Sequence, residues 1–286
     1  ARLVCGSTTA HYYWHIYSFM NWGEPWYSGL RQSQINYRIE NQRYFERNYM
    51  PGMLGWFKLE GTYRPEEIEW IQARSAAFNA GYLLRVDESI EKSGFKEQFF
   101  EAIREWQKAR NAKAFTAVQV EKFKDPKNEF HLQKITDNSW ELYPVSLQMG
   151  YEHKYKSVQT GEPVTTRVKM NNPFAAQPVQ LYITTAVVEG NKTAVVSGLK
   201  LEINNYQTLE INEPVKAGDK LIIDGKSIYL CDATWNKLKE IKTHDLPKWS
   251  EGENEIVIKS NFSGEQAPVL KFDFKCVGIA EIVSGK

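Results

Sequence analysis

The pattern of apolar and polar positions changes character between residues 112 and 113. Before this point, short apolar runs alternate with helical patterns. The predicted elements are strands over 2–6 and 53–59 and helices over 30–49, from Pro65 to Tyr82, and over 95–110. Alternation of strand and helix is typical of parallel α/β folds. Because two such units cannot close a barrel, residues 1–112 form either a small α/β domain or the last units of a barrel that continues upstream.

Residues 113–286 consist almost wholly of strand patterns separated by turn residues, and the first predicted strand covers 115–122. Asp224-Gly225 lies between two alternating runs and is a strong signal for a β-hairpin. Many short strands at this spacing predict a β-sandwich of jelly-roll or Ig-like type. The sequence therefore divides into two predicted domains, 1–112 and 113–286.

Composition excludes several classes of function. The 286 residues carry a net charge of +1 with both signs interspersed, so the chain lacks the basic stripe of a nucleic-acid-binding protein. No apolar run approaches the roughly 20 residues that span a bilayer. The chain has no Gly-rich phosphate loop and no G-x-S-x-G elbow, and we predict neither a cofactor nor a metal. It opens at Ala1 inside a strand-like run, so we expect further chain upstream.

The three cysteines, Cys5, Cys231 and Cys276, are odd in number and far apart, which excludes a disulfide framework. Two alternatives remain for the second domain. Cys231 and Cys276 either form a single bridge or are buried free thiols, and the free thiols are the favoured prediction.

A dense run of Trp and Tyr from His11 to Tyr27 carries the strongest functional signal. Sugars present apolar CH faces and hydroxyl edges, and aromatic rings beside polar side chains match both. The predicted sugar-binding residues are Trp14, His15, Asn21, Trp22, Trp26, Tyr27, Trp56 and Lys58. The alternative is that these aromatic side chains pack the loop against the rest of the domain.

Two carboxylates are candidates for catalysis. Glu24 is flanked by indoles, which can raise the pKa of a carboxyl group and suit it to general acid catalysis. Glu60 follows the strand 53–59, and alternation places it on the same face as Trp56 and Lys58, at the rim where barrel sites form. Each has a structural alternative, because Glu24 can hold a backbone amide or an arginine and Glu60 can cap the next helix.

The large aromatic residues of the second domain are Trp140, Trp235 and Trp249. Exposed rings would form a sugar-binding platform, whereas core rings need no ligand. We expect these three side chains to be core residues of the sandwich.

Three segments, Phe19–Tyr27, Arg43–Asn48 and Met53–Phe57, resemble the last strands of barrel glycoside hydrolases and of their uncharacterised relatives. The resemblance covers residues 1–112 and implies an α/β plus all-β architecture, in which terminal βα units of a (β/α)8 barrel precede a β-sandwich. It also implies a hydrolase of the glycosidase type, located outside the cytoplasm. The implied partners are a glycan and the upstream remainder of the barrel. The alternatives are a non-catalytic carbohydrate-binding protein and a structural cell-surface module.

Overall fold

A computed structural model describes residues 5–6, 19–20, 31, 39, 41–49, 52–186, 193–243, 245–264 and 268–286. The chain divides into two compact units, Ala1–Pro144 with Ala280–Lys286 (unit 1) and Val145–Ile279 (unit 2). The boundary predicted between residues 112 and 113 lies within unit 1. No helix in the described part is both long and apolar enough to cross a membrane.

The described residues form four α-helices, one 3-10 helix and nineteen strands. The helices are α1 (Gln42–Arg47), α2 (Pro65–Phe78), α3 (Lys96–Asn111) and α4 (Ala117–Lys124), and the 3-10 helix is Glu88–Lys92. The strands that begin in unit 1 are β1 (Cys5–Gly6), β2 (Phe19–Met20), β3 (Met53–Leu59), β4 (Gly81–Val86), β5 (Glu129–Thr136), β6 (Ser139–His153) and β19 (Glu281–Ser284). Those of unit 2 are β7 (Val164–Asn172), β8 (Gln177–Pro178), β9 (Gln180–Ala186), β10 (Val195–Ile203), β11 (Gln207–Ile211), β12 (Val215–Lys216), β13 (Lys220–Asp224), β14 (Ile228–Cys231), β15 (Lys237–Ile241), β16 (Lys248–Trp249), β17 (Gly252–Ser263) and β18 (Val269–Val277).

Strands β3 and β4 pair in parallel and are joined by α2, which makes one βαβ unit within unit 1. A bulge interrupts β3 at Gly55, whose φ of +78° is open to glycine but costly for other residues. Because of this bulge, Leu54 and Phe57 are three residues apart yet both join Trp70 of α2 in one apolar cluster. The bulge therefore determines which side chains of β3 face away from the helix.

Local signals in the sequence set both ends of α2. Pro65 occupies its first position, where a missing N–H is harmless, and the Glu67 carboxylate accepts a hydrogen bond from the Arg64 backbone N–H at 2.9 Å. The helix ends at Asn79, which adopts a left-handed φ of +45°. The helix predicted from Pro65 is confirmed as far as Phe78, but its predicted extension to Tyr82 is wrong, because Tyr82 lies in β4. The helix predicted over 95–110 is confirmed and corresponds to α3.

Two buried glutamates organise the polar interior of unit 1. Glu69 accepts hydrogen bonds from the Trp106 indole at 3.2 Å and from the Leu132 backbone N–H at 2.9 Å. Glu105 accepts a hydrogen bond from the Trp140 indole at 3.0 Å. Buried carboxylates and indole N–H groups both require partners, so each of these bonds satisfies two groups.

The strand predicted over 115–122 is wrong, because this segment forms α4. The Thr116 hydroxyl accepts a hydrogen bond from the Gln119 N–H at 3.3 Å, and the Gln119 side chain accepts one from the Thr116 N–H at 2.9 Å. This reciprocal capping box starts a helix. The alternating valines resemble a strand face, but Val118 is 66% exposed, and Phe123 instead packs against Trp106 with ring centroids 5.6 Å apart.

Strand β19 belongs to unit 1. It pairs antiparallel with Ser139–Leu142 of β6, and beyond it the Lys286 N–H donates to the Ala112 carbonyl at 2.9 Å. Val283 is 3% exposed, whereas its neighbour Ile282 is 73% exposed. The strand therefore contributes one side chain to the interior and turns the next one to solvent.

Unit 2 is a sandwich of two antiparallel sheets. The first sheet has the strand order β11–β10–β17–β7 with β12 paired to β10, and the second contains β15–β14–β13–β9–β18 and Val145–His153 of β6. Apolar residues of both sheets form one core. The predicted Asp224-Gly225 hairpin joins β13 to β14, and the predicted β-sandwich is confirmed.

All three tryptophans are buried, but the expectation that they are core residues of the sandwich is confirmed for Trp249 alone. Trp249 lies in the sandwich core and Trp140 in unit 1, while Trp235 is buried but is not a member of the sandwich core. Cys231 and Cys276 are buried free thiols, and burial raises their pKa values to about 11 and about 12, respectively. The bridge that the sequence left open is not formed.

The predicted (β/α)8 barrel segment is wrong. Of the described residues, 47% are in strands and 22% in helices, and parallel pairing among them is confined to β1–β2 and β3–β4. A barrel requires eight parallel strands, each followed by a helix, whereas the larger sheets here are antiparallel. The prediction failed because one βαβ unit and eight of them show the same local pattern. Without a barrel there is no reason to expect further barrel units upstream.

Candidate functional site

The candidate site is the face of β3 and β4 that is turned away from α2. On β3 this face carries Trp56 and Lys58, which are partly exposed between buried neighbours. In the parallel register Trp56 pairs with Leu83, and Lys58 pairs with Arg85. Paired residues of adjacent strands point to the same side, so the four side chains form two rows on one face. We call this surface the β3–β4 face.

Two carboxylates extend this face at the carboxyl ends of the strands. The Lys58 Nζ lies 2.5 Å from the Glu60 Oε1 and 3.5 Å from the Asp87 Oδ2. The three side chains are between 31% and 40% exposed. One ammonium group therefore joins the ends of both strands while the cluster stays open to solvent.

Backbone contacts hold the two loops that carry these carboxylates. The Asp87 Oδ1 accepts a hydrogen bond from the Ser89 N–H at 3.0 Å, and the Gly61 N–H donates to the Ser89 hydroxyl at 2.9 Å. A Cβ on Gly61 would lie 2.3 Å from the Ser89 backbone oxygen, so only glycine permits this approach. The loop after β3, with Glu60, is thereby attached to the loop after β4.

Hydrogen bonds and nearby charges shift the pKa values of Lys58 and Asp87 toward their charged forms. The hydrogen bond and the negative charge of Glu60 raise the pKa of Lys58 above its ordinary value. Hydrogen bonds from the Ser89 backbone and side chain, together with the charge of Lys58, lower the pKa of Asp87. A carboxylate with a lowered pKa is a poor proton donor at neutral pH, so Asp87 is suited to accept hydrogen bonds rather than to act as an acid.

The β3–β4 face combines an aromatic surface with hydrogen-bonding groups of both signs. Carboxylates accept hydrogen bonds, while the ammonium of Lys58 and the guanidinium of Arg85 donate them. These two cations balance the charges of Glu60 and Asp87. A neutral ligand with many hydroxyl groups and an apolar face matches this arrangement.

Three of the predicted site residues, Trp56, Lys58 and Glu60, lie together on this face. The other predicted site residues lie outside the described part of the chain: Trp14, His15, Asn21, Trp22, Glu24, Trp26 and Tyr27. Asp87 and Arg85 were missed because the sequence pattern did not predict β4. The sequence feature that could have predicted β4 is its apolar run, which follows directly after α2 ends at Asn79.

No known protein family and no curated protein matches this chain. The resemblance to barrel glycoside hydrolases thus has no relative to support it, and the observed antiparallel sheets contradict it. The identification of the chain as a barrel glycosidase is therefore wrong, and no comparison supports the hydrolase description. The function has to be argued from the geometry of the β3–β4 face.

Proposed function

We propose that this protein is a non-catalytic carbohydrate-binding protein that binds a neutral glycan at the β3–β4 face. The observation that supports the proposal is the placement of the partly exposed Trp56 in line with the Lys58–Glu60 ion pair, with Asp87 beside them. A sugar ring stacked on the indole would bring its hydroxyl groups to charged donors and acceptors. Hydrogen bonds to charged groups contribute about 1.5–3 kcal/mol each, which suits recognition of hydroxyl edges.

The balance of charge separates this proposal from other ligand classes. Lys58 and Arg85 offset Glu60 and Asp87, so the face offers no excess positive charge to a polyphosphate. A structural surface module, the remaining alternative, would not depend on the chemistry of these side chains. A glycan ligand also implies a site of action outside the cytoplasm, and this location forms part of the proposal.

Calorimetric titration of the whole chain with cello-, xylo- and chito-oligosaccharides tests the proposal. Trp56→Ala and Asp87→Asn are each expected to weaken binding about tenfold or more, because one removes the stacking surface and the other a charged acceptor. Asn is also a good helix-capping residue, so Asp87→Asn is expected to retain the hydrogen bond to Ser89 and the wild-type melting temperature.

Lys96→Gln is the matched control for Lys58→Gln. Lys96 also forms an ion pair in unit 1, with the Glu91 carboxylate at 2.6 Å, but it lies on α3. Lys58→Gln is expected to lose affinity, whereas Lys96→Gln should bind like the wild type. Equal affinity of both variants, or no binding to any of the three oligosaccharides, would exclude this function for the β3–β4 face.

A further inference from the structure

The turn between β10 and β11 presents an exposed tyrosine in a defined position. Asn204 and Asn205 have φ values of +53° and +62°, and the Tyr206 N–H donates to the Ile203 carbonyl at 3.2 Å. Positive φ at both central residues is typical of a type I′ turn, whose twist matches that of the strands it joins. Tyr206 follows this turn directly, and its side chain is 70% exposed.

A polar network holds the hydroxyl end of Tyr206. Its phenol oxygen lies 3.1 Å from the Ser250 hydroxyl. The Asn204 Nδ2 donates to the same Ser250 hydroxyl at 3.3 Å and to the Asn254 Oδ1 at 2.9 Å. Asn254 is fully buried and also accepts a hydrogen bond from the Ser250 N–H at 2.8 Å. The network therefore connects the exposed ring to a buried side chain of the sandwich.

Gln207 holds the neighbouring segment against the turn. Its Nε2 donates to the Lys248 carbonyl at 3.1 Å, and its Oε1 accepts a hydrogen bond from the Lys248 N–H at 2.7 Å. Two hydrogen bonds of opposite direction to one residue fix the position of β16, which precedes Ser250. The ring and the hydroxyl group that holds it thus come from two segments that are joined on both sides of Trp249.

The ring is fixed at its tip and open elsewhere. Hydrogen bonds from Ser250, with smaller contributions from Asn204 and Gln207, lower the pKa of Tyr206. Among the described residues, no aromatic ring or cation stacks on Tyr206. A tyrosine that is already oriented loses little conformational entropy when a ligand binds, so it offers rigid apolar contact area.

The side chains next to the ring are polar and balanced in charge. Asn205, Lys248 and Glu251 are exposed and belong to the same two segments. An amide donates and accepts hydrogen bonds, an ammonium donates them and a carboxylate accepts them, which suits hydroxyl groups that do both. Because Lys248 and Glu251 offset each other, a polyanion gains no net attraction here. A neutral sugar ring, with an apolar CH face and hydroxyl edges, matches the arrangement.

We propose that Tyr206 is a stacking platform for a neutral sugar ring. The β10–β11 turn and the segment from Lys248 to Glu251 form a glycan site, which we call the Tyr206 site. It lies in unit 2 and shares no residue with the β3–β4 face. The proposal therefore does not rest on the proposed function of that face.

Tyr155 supplies a matched control. It is also an exposed tyrosine of unit 2, at 57%, but its ring contacts Phe262 at 6.1 Å between centroids and lies outside the β10–β11 turn. Tyr155→Ala therefore removes the same group from another part of the same unit. Tyr206→Phe is a second comparison, because it keeps the ring and removes only the hydroxyl group held by Ser250.

NMR titration of the isotope-labelled full chain with cello-, xylo- and chito-oligosaccharides tests the proposal. We expect at least one of these ligands to shift the amide signals of residues 204–207 and 248–251. Tyr206→Ala should weaken this binding at least about tenfold, because the stacking surface is lost. Tyr155→Ala should stay within about twofold of the wild type. Tyr206→Phe should keep more of the affinity than Tyr206→Ala, because its ring still stacks.

Several outcomes would overturn the proposal: absence of shifts at these residues with all three ligands, equal losses for Tyr206→Ala and Tyr155→Ala, or equally tight binding of heparin to the turn. If Tyr206→Ala does not fold, the signals that shift in the wild type still locate the ligand. Trp56→Ala is expected to leave the shifts at the Tyr206 site unchanged. Failure of this proposal is therefore distinguishable from failure of the proposed function.

Discussion

His153 shows how burial changes the chemistry of a single side chain. It is fully buried, its Nδ1 lies 2.8 Å from the Thr166 hydroxyl, and its Nε2 lies 2.9 Å from the Ser260 hydroxyl. Burial, with the charge of Lys156 as a smaller contribution, lowers the pKa of His153 to about 4. The imidazole is therefore neutral at physiological pH. Both of its ring nitrogens are within hydrogen-bonding distance of buried hydroxyl groups of the sandwich, so neither is available to a ligand.

We expect His153 to make the folded protein less stable as the pH falls. Its folded pKa of about 4 lies below the ordinary value of 6.5, so the unfolded chain binds the proton first. The contribution of neutral His153 to the free energy of unfolding is therefore fully present well above pH 6.5 and decreases as the pH falls toward 4. At pH 5 the loss amounts to about 2 kcal/mol. Urea unfolding at pH 7.5 and pH 5 measures it. His153→Asn should lose less stability between these pH values than the wild type, and equal losses would contradict this account.

At the scale of elements, the site depends on how closely two loops approach. The β3–α2 loop contacts the 3-10 helix through Gly61, and the Ser93 hydroxyl donates to the Gly61 carbonyl at 3.0 Å. The contact of Gly61 with the 3-10 helix therefore fixes the backbone next to Glu60. This contact links backbone geometry to the proposed ligand site.

Gly61→Ala is expected to destabilise unit 1 by about 1–3 kcal/mol, because its Cβ would overlap the backbone of Ser89. The loop must then shift, so glycan binding at the β3–β4 face should weaken as well. Gly150→Ala is the control, since its Cβ meets nothing within 4 Å and only its φ of +83° is costly. Thermal unfolding and calorimetric titration should show both losses for Gly61→Ala and a stability loss alone for Gly150→Ala. Wild-type behaviour of Gly61→Ala would refute the close approach.

At the scale of the whole molecule, the two compact units differ in how the chain builds them. Unit 2 is one continuous segment, whereas unit 1 combines Ala1–Pro144 with Ala280–Lys286. The interior of unit 1 therefore depends on a strand that is far away in sequence. Directly after that strand, Gly285 donates its N–H to the Asn138 carbonyl at 3.0 Å, next to the last pairing with β6.

Val283→Ala is expected to destabilise unit 1 by about 1.5–3 kcal/mol, because it removes two buried methyl groups from β19 and leaves a cavity. Ile282→Ala, at the exposed neighbour, should change stability by less than about 0.5 kcal/mol. Hydrogen exchange of the backbone amides provides the measurement by region. Protection should fall in β5 and the first residues of β6 for Val283→Ala and stay unchanged in β10 and β17. Equal effects of the two variants would contradict the burial pattern of β19.

The sequence alone determined the elements whose signals lie within a few residues. Pro65 and the acidic first turn start α2, and Asp224-Gly225 turns β13 into β14, because capping and turn geometry depend on immediate neighbours. Alternation along β3 likewise placed Trp56 and Lys58 on one face. The alternating sandwich strands and the burial of the large tryptophans could be predicted for the same reason.

Only the tertiary structure decided which strands pair and what each face meets. It separated a single βαβ unit from a barrel, turned the predicted strand over 115–122 into α4, and brought Asp87 to Lys58 across the parallel pair. It also placed Trp235 outside the sandwich core, against Tyr182 and Lys220. These outcomes depend on pairing and packing between residues far apart in sequence, and such contacts leave no periodic signal in the segment itself.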